Sequence, residues 1–385
     1  MRFSHRRRSP LYAVLLAAPL LAAPFGCRRA EPRPQSGQQT PPARMERPKP
    51  KAAIQKPEAV KAVYLTAWSA GSKRKMEAIR GFLQRNGMNA VVIDLRDAGI
   101  LYARMDLEPA KSAGAERVAI RNPKDLVASL GREGIYPIAR IACFRDDFIP
   151  KVRPDRAVQD PKGRPWKDRA GHTWLDPYNR KNWEFLARVV EFALEAGFPE
   201  IQLDYVRFPS EGRQSTMVFP AKRTHPNPSA TPSEVVAEFV RSLRPLTEAR
   251  GALLAGDIFG IVSSGGGDQG IGQELQTIAE PFDLICPMVY PSHFAKGEYG
   301  IRDPNRSPHA IVAKSLRDYA RKLPDKKLRP WLQDFSLGVR YGPEQVEAQI
   351  RAAREVGYRE YMLWNPLNRY TERAAHGPQS HREQP

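Results

Sequence analysis

From residue 61 onward, short runs of β-branched and aromatic residues alternate with longer stretches whose apolar positions recur every three or four residues. The short runs predict strands over 62–68, 90–97, 136–144, 200–208, 252–260, 283–290, 328–335 and 360–365. The longer stretches predict helices over 73–86, 123–132, 180–196, 233–249, 272–279, 308–323 and 343–356. Boundary residues agree with this reading. Pro123 and Pro343 suit first helical turns, and Gly87, Gly134, Gly197 and Gly357 fall just past helix ends. Eight strands with seven intervening helices predict an α/β fold, a single (β/α)8 TIM barrel over 61–372. A doubly wound sheet is the alternative, and no GxGxxG follows the first strand to support it.

Two insertions interrupt the rhythm, at 99–121 and at 209–232. Both follow strands, on the face where barrels build their sites, so they are candidate cleft walls. The strands themselves end in charge. Alternation along strand four sends Ile201 and Leu203 toward the helices and Gln202 and Asp204 inward. Asp94, Asp257 and Asp334 close strands two, five and seven in the same way. A carboxylate within an apolar strand is costly unless it is paired or used. Four at one end suggest a site; the alternative is a salt-bridge ring with Arg96, Arg140 or Arg207. Trp68, Tyr205, Tyr290, His293, Trp331 and Trp364 add aromatic faces and hydrogen-bonding groups near the same end, a mixture that suits sugar rings and their hydroxyls.

Ahead of the barrel the composition changes. The chain has 385 residues and a formal net charge of +19, and residues 1–60 carry 12 Lys and Arg against three Asp and Glu. Arg2, Arg6, Arg7 and Arg8 precede a Leu/Ala-rich run over 11–25, the pattern of an export signal. Cys27 follows Gly26, which resembles a bacterial lipoprotein signal with Cys27 as the lipidated residue. Residues 1–27 are thus read as a leader, 28–60 as a disordered Pro-rich basic tether and 373–385 as a disordered tail. The expected location is the cell envelope, with the membrane reached through that lipid anchor. Export and the tether's large share of the charge count against a nucleic-acid partner.

The chemistry that paired strand-end carboxylates can run is glycosidic bond cleavage, with one as acid and the other as nucleophile or base. Asp257 is assigned as proton donor and Asp204 as nucleophile or base, with Arg207 a candidate partner for Asp204. Alternation leaves Arg207 leaning outward. Asp94 and Asp334 would orient substrate or stabilise an oxocarbenium-like centre.

The motifs LDYVRFPSEG (203–212), DIFG (257–260), CPMVYPSHF (286–294), PWLQDF (330–335) and MLWNP (362–366) resemble those of a bacterial glycoside hydrolase family. That family is a TIM barrel placed by analogy beside the family-13 α-amylase superfamily, and the likeness spans about 60–372. The resemblance implies Asp204, Asp257 and Asp334 as the catalytic carboxylates. The amylase pattern has Arg two residues before the strand-four Asp and Glu after strand five. This chain has Gln202 and Asp257 there, so α-glucan is not carried over as substrate.

Other chemistries find little support. HExxH, CxxC and GxSxG are absent, so neither a zinc site nor a serine hydrolase is expected, and no cofactor is assigned. The glycine-rich run 263–268 lacks a P-loop lysine and reads as a flexible lid. Cys143 and Cys286 fall on strands that are not neighbours and should be buried free thiols. The expected function is hydrolysis of an envelope or extracellular polysaccharide; the alternative is a non-catalytic carbohydrate-binding barrel.

Overall fold

A computed structural model describes residues 53–372 of the chain. The leader, Cys27, most of the tether and the tail at 373–385 lie outside the described residues. Among the described residues no helix is long and apolar enough to cross a membrane.

The strands are β1 (Lys61–Leu65), β2 (Ala90–Asp97), β3 (Ile100–Leu101), β4 (Tyr136–Ala142) and β5 (Glu200–Asp204). They continue as β6 (Leu253–Phe259), β7 (Leu284–Met288), β8 (Lys327–Leu328), β9 (Trp331–Gln333) and β10 (Tyr361–Trp364). β1 pairs in parallel with both β2 and β10, which closes the sheet into a barrel. Around it the order runs β2, β4, β5, β6, β7, then β8 and β9, then β10. β3 is a short antiparallel hairpin partner of β2 inside the 99–121 insertion. The seventh stave, predicted as one strand, is broken into β8 and β9 at Arg329-Pro330, where proline has no N–H to donate.

Helices fill the intervals, among them Lys73–Arg85, Pro123–Arg132, Arg180–Glu195, Pro232–Ala249, Pro308–Lys322 and Pro343–Glu355. Their starts follow from local chemistry. Asn122 accepts from the Asp125 N–H ahead of Pro123, and Thr231 and Glu234 form a reciprocal capping box. Gly197 takes φ 93° just after a helix, a conformation that costs residues with a Cβ.

Alternation along the strands divides the core in two. Val63, Leu65, Val91, Ile93, Ile201, Leu203 and Leu332 face the helices. Ala62, Tyr64, Val92, Ile138, Ala255, Cys286, Trp331 and Met362 fill the barrel interior. The floor is polar. Arg329 donates to Glu200 at 2.5 Å and to Glu360 at 2.9 Å, and Lys56 also pairs with Glu360. Residues 53–60, assigned to the tether from sequence, therefore belong to the barrel floor, with Val60 fully buried and Ile54 packed over Gly131. The apolar Ile54 and Val60 bring enough buried surface to order this end.

Candidate active site

The interior staves end, at the C-terminal mouth, in a belt of linked polar groups. On β5 the inward positions are Glu200, Gln202 and Asp204, all buried, running from the floor to the mouth. Arg140 on β4 lies beside Gln202 in register. Its Nε and Nη2 donate to Asp204 Oδ2 at 3.0 and 2.6 Å, and its Nη1 donates to Asp94 Oδ1 at 2.5 Å. Tyr64 donates its hydroxyl to the other oxygen of Asp94. Burial lifts the Asp94 carboxyl to about 6 against the opposing pull of Arg140.

Asp257 continues the belt on β6. Its Oδ1 accepts from Gln202 Nε2 at 2.6 Å and from Trp331 Nε1 at 2.7 Å, while Oδ2 is buried with no partner. Burial, and then the charge of Asp204, raise its proton affinity well above the usual carboxylate range. Two carboxyl groups thus sit in one belt with different environments. Asp204 is paired with a guanidinium; Asp257 meets only neutral donors.

A cavity of about 460 Å³ opens above the belt. Arg140, Asp204, Tyr205, Arg207, Tyr290, His293, Trp331 and Trp364 line it, joined by Glu211, Phe259, Met288 and Phe294. Seven residues singled out from sequence therefore share one wall. Asp257 lies behind that wall, 2% exposed, reached through Trp331 and Gln202. Asp94 lies under it, joined through Arg140.

Three sequence expectations are corrected by the structure. Trp68 is not at the end of β1. Thr66 caps a one-turn helix, Ala67–Ala70, which lifts Trp68 onto the rim, 60% exposed and edge-on to Tyr102. Asp334 faces away from the cavity, because Trp331 and Gln333 take the inward positions and the next residue turns outward. Thr371 meets it there with Oγ1 at 2.5 Å and N–H at 2.9 Å, and burial lifts it to about 6. Arg207 leans inward and does not pair with Asp204. β5 ends at Asp204, three residues before Arg207, and Tyr205 adopts φ 48°, so strand alternation no longer sets the direction of the arginine.

Sequence reasoning also passed over several groups. Arg140 was read only as part of a structural ring, yet it holds both Asp94 and Asp204. Glu211 comes from the 209–232 insertion, which does supply cavity wall. The 99–121 insertion instead lines a groove beside Trp68. The segment 143–179 builds a side recess with Arg145, His172 and Trp174, and nothing in its aperiodic sequence marks it as a wall. Cys143 and Cys286 are buried and free. Lys322 donates to the carbonyls of Ser263 and Gly265, which ties down the start of the glycine-rich run. Among the described residues no three His, Cys, Asp or Glu side chains group as metal ligands.

Residues 62–370 match a sequence family described as "Putative glycosyl hydrolase domain". No curated protein matches the chain in sequence. The glycoside hydrolase domain of PgaB (BpsB) from Bordetella bronchiseptica is similar over 80% of this chain and 94% of its own, at 15% identity and a TM-score of 0.59. The α-galactosidase TtGalA from Thermus thermophilus is similar over 82% of this chain and 60% of its own, at 15% identity and a TM-score of 0.51. A hypothetical protein from Ruminiclostridium thermocellum is 29% identical over 51% of this chain and 96% of its own, with a TM-score of 0.45. The two longer likenesses show a shared barrel fold.

Proposed function

The chain belongs to the glycosyl hydrolase domain family that its residues 62–370 match, and from that premise we propose that it hydrolyses an envelope or extracellular polysaccharide through Asp257 and Asp204. The observation that carries this reading is the split between the two carboxyls. Asp257 is buried among neutral donors, which raises its proton affinity above that of an ordinary carboxyl, whereas Asp204 is gripped by Arg140 at the cavity wall. Glycosidases use such a pair as acid and as nucleophile or base.

In this reading Asp257 gives its proton to the leaving glycosidic oxygen as the C–O bond breaks. Asp204 meets the oxocarbenium-like centre directly, or takes a proton from the water that does. Water supplies the new hydroxyl at the anomeric carbon; in the direct route its other proton goes to Asp257, and in the water route that proton goes to Asp204 while Asp257 regains one from solvent. Tyr290 and Trp364 offer aromatic surface for sugar rings, and Trp331 underlies them. Arg140 fixes Asp204, which limits the reorganisation needed as charge develops.

The competing reading is a barrel that binds sugar without cleaving it. The position of Asp257 behind the cavity wall favours it. Reducing-end release from a polysaccharide panel separates the two. Hydrolysis by the wild-type chain that is lost in both Asp257→Asn and Asp204→Asn supports the enzyme. Binding without hydrolysis in all three supports the binding barrel.

Export and membrane attachment through Cys27 complete the proposal, on the strength of the basic and apolar leader. Fractionation of cells expressing the wild-type chain and Cys27→Ser tests it. Release of the variant from the membrane fraction is the expected result.

A further inference from the structure

Four arginines are deeply buried among the described residues: Arg96, Arg140, Arg207 and Arg329. Three have carboxylate partners. Arg96 pairs with Asp146, Arg140 with Asp94 and Asp204, and Arg329 with Glu200 and Glu360. Arg207 has none, although it is only 5% exposed. Its Nη1 donates to the Phe208 carbonyl at 2.9 Å and to Ser210 Oγ at 3.1 Å. Its Nε and Nη2, the two nitrogens that form the side-on fork, have no acceptor among the described residues. The guanidinium carbon rests 4.5 Å from the Phe259 ring centre, 4.9 Å from Trp174 and 5.1 Å from Tyr205. Aromatic faces steady a cation but do not replace an anion. Burial pushes the guanidinium down to about 10, which leaves it charged at neutral pH; Asp204 and Glu211 act on it only through space.

An uncompensated buried charge is costly, and here it borders empty space. Arg207 lines the main cavity and also a recess of about 150 Å³ beside it. Arg145, His172 and Ser210 stand on the recess wall, and Arg145 lies 3.9 Å over the Tyr205 ring with its Nε buried and unpartnered. Two acids are there too: the Asp168 carboxylate accepts from the Trp174 indole at 3.2 Å and from two backbone N–H groups, and Glu211 stands at the border with the main cavity, which it also lines. The recess has room for a few heavy atoms, the size of one charged substituent on a ring held in the main cavity.

We propose that the sugar bound in this cleft carries an oxyanion substituent, a carboxylate or a sulfate ester, and that Arg207 grips it through Nε and Nη2 with Arg145 at its flank. An arginine fork matches two oxygens of such a group, which lysine does not. The inference rests on the glycoside hydrolase reading and names the substrate class for it.

The test is calorimetric titration of the full chain carrying Asp257→Asn, to stop turnover. The probes are uronate oligosaccharides and their carboxyl-reduced forms, and sulfated oligosaccharides and their desulfated forms. One charged series is expected to bind at least ~10-fold tighter than its neutral counterpart, and which series does so tells carboxylate from sulfate. Adding Arg207→Gln should close that gap to within ~2-fold, and Arg207→Lys should leave an intermediate gap, since the charge stays and the fork is lost. Arg207→Gln also loses the hydrogen bonds to Phe208 and Ser210, so melting curves check that both variants fold and the charged-to-neutral binding ratio is read within each variant. Equal binding of charged and neutral forms overturns the inference and leaves the glycosidase reading standing. So does a gap that survives Arg207→Gln. Neither binding nor cleavage of any glycan by the wild-type chain overturns both.

Discussion

Arg140 donates two hydrogen bonds to one oxygen of Asp204 while its third nitrogen holds Asp94. One guanidinium therefore fixes two carboxylates from different strands, and all three groups are buried. Arg140→Met would leave both acids in the interior without a counter-ion. Breaking such a pair costs about 3–5 kcal/mol. Urea denaturation should show a loss of that order, with hydrolysis abolished because Asp204 is no longer held. Arg140→Lys should recover part of the stability but little activity, since an ammonium cannot reproduce the planar fork.

Asp257 separates chemistry from folding more cleanly. Its Oδ1 accepts two hydrogen bonds that an asparagine carbonyl can also accept, and its Oδ2 has no partner to lose. Asp257→Asn should change unfolding free energy by no more than about 1–2 kcal/mol, the cost of an unsatisfied amide. The rate should fall about 10²- to 10⁴-fold through loss of the acid. Parallel denaturation and rate measurements check both halves. A large stability loss with unchanged rate would mean that Asp257 is structural.

The pH profile follows from the same pair. Catalysis in the proposed direction needs Asp257 protonated, and burial with the Asp204 charge holds that proton well above the usual range. Activity should decline as pH rises past that raised value. On the acid side, Asp94 takes up its proton below about 6 and loosens one prong of Arg140. kcat/KM should fall there. In Asp94→Asn the acid limb should flatten, which a rate series across buffers would show.

The aromatic residues give a spatial test. Trp364 stacks on Tyr64 at 3.9 Å between ring centres, sits under Arg140 and lines the cavity. Trp68 stands on the rim beside a separate groove. Trp364→Ala should raise KM several-fold on short oligosaccharides. Trp68→Ala should leave KM for the same substrates unchanged, because nothing in the central cavity touches it.

The barrel was legible because its staves are runs of Val, Ile, Leu and Ala flanked by turn residues, as in AVVID at 90–94. The inward carboxylates were legible from alternation for Asp204 and Asp257; on the seventh stave the phase is the reverse of the expected one, with Trp331 and Gln333 inward and Asp334 outward. What could not be read lies between strands. The cation for Asp204 does not come from its own strand, where Gln202 stands two residues earlier. It comes from Arg140, the register partner of Gln202 on the neighbouring stave. Register is a tertiary relation, and no local spacing encodes it. The recess around Arg207 was hidden for a similar reason. It depends on Tyr205 at φ 48° and on a 143–179 segment held by scattered bridges such as Arg145–Trp174.

Asp176, in that same segment, makes stability depend on pH in a sense opposite to the usual acid denaturation. It is fully buried, has no cationic partner among the described residues, and accepts from the Tyr178 and Ala221 backbone N–H groups at 2.9 and 3.0 Å. Burial lifts it to about 7 despite those donors. The folded chain thus keeps a proton that the unfolded chain, with its carboxyl near ~3.9, has already released. The contribution to stability is full below about pH 4 and is lost as pH rises to about 7. Over that window it amounts to as much as about 4 kcal/mol, at 1.36 kcal/mol per pH unit. Urea midpoints measured from pH 4 to 7 should therefore slope less steeply downward in Asp176→Asn than in the wild-type chain. Parallel slopes in the two proteins would mean that Asp176 is ionised in the fold, held by its two backbone donors alone.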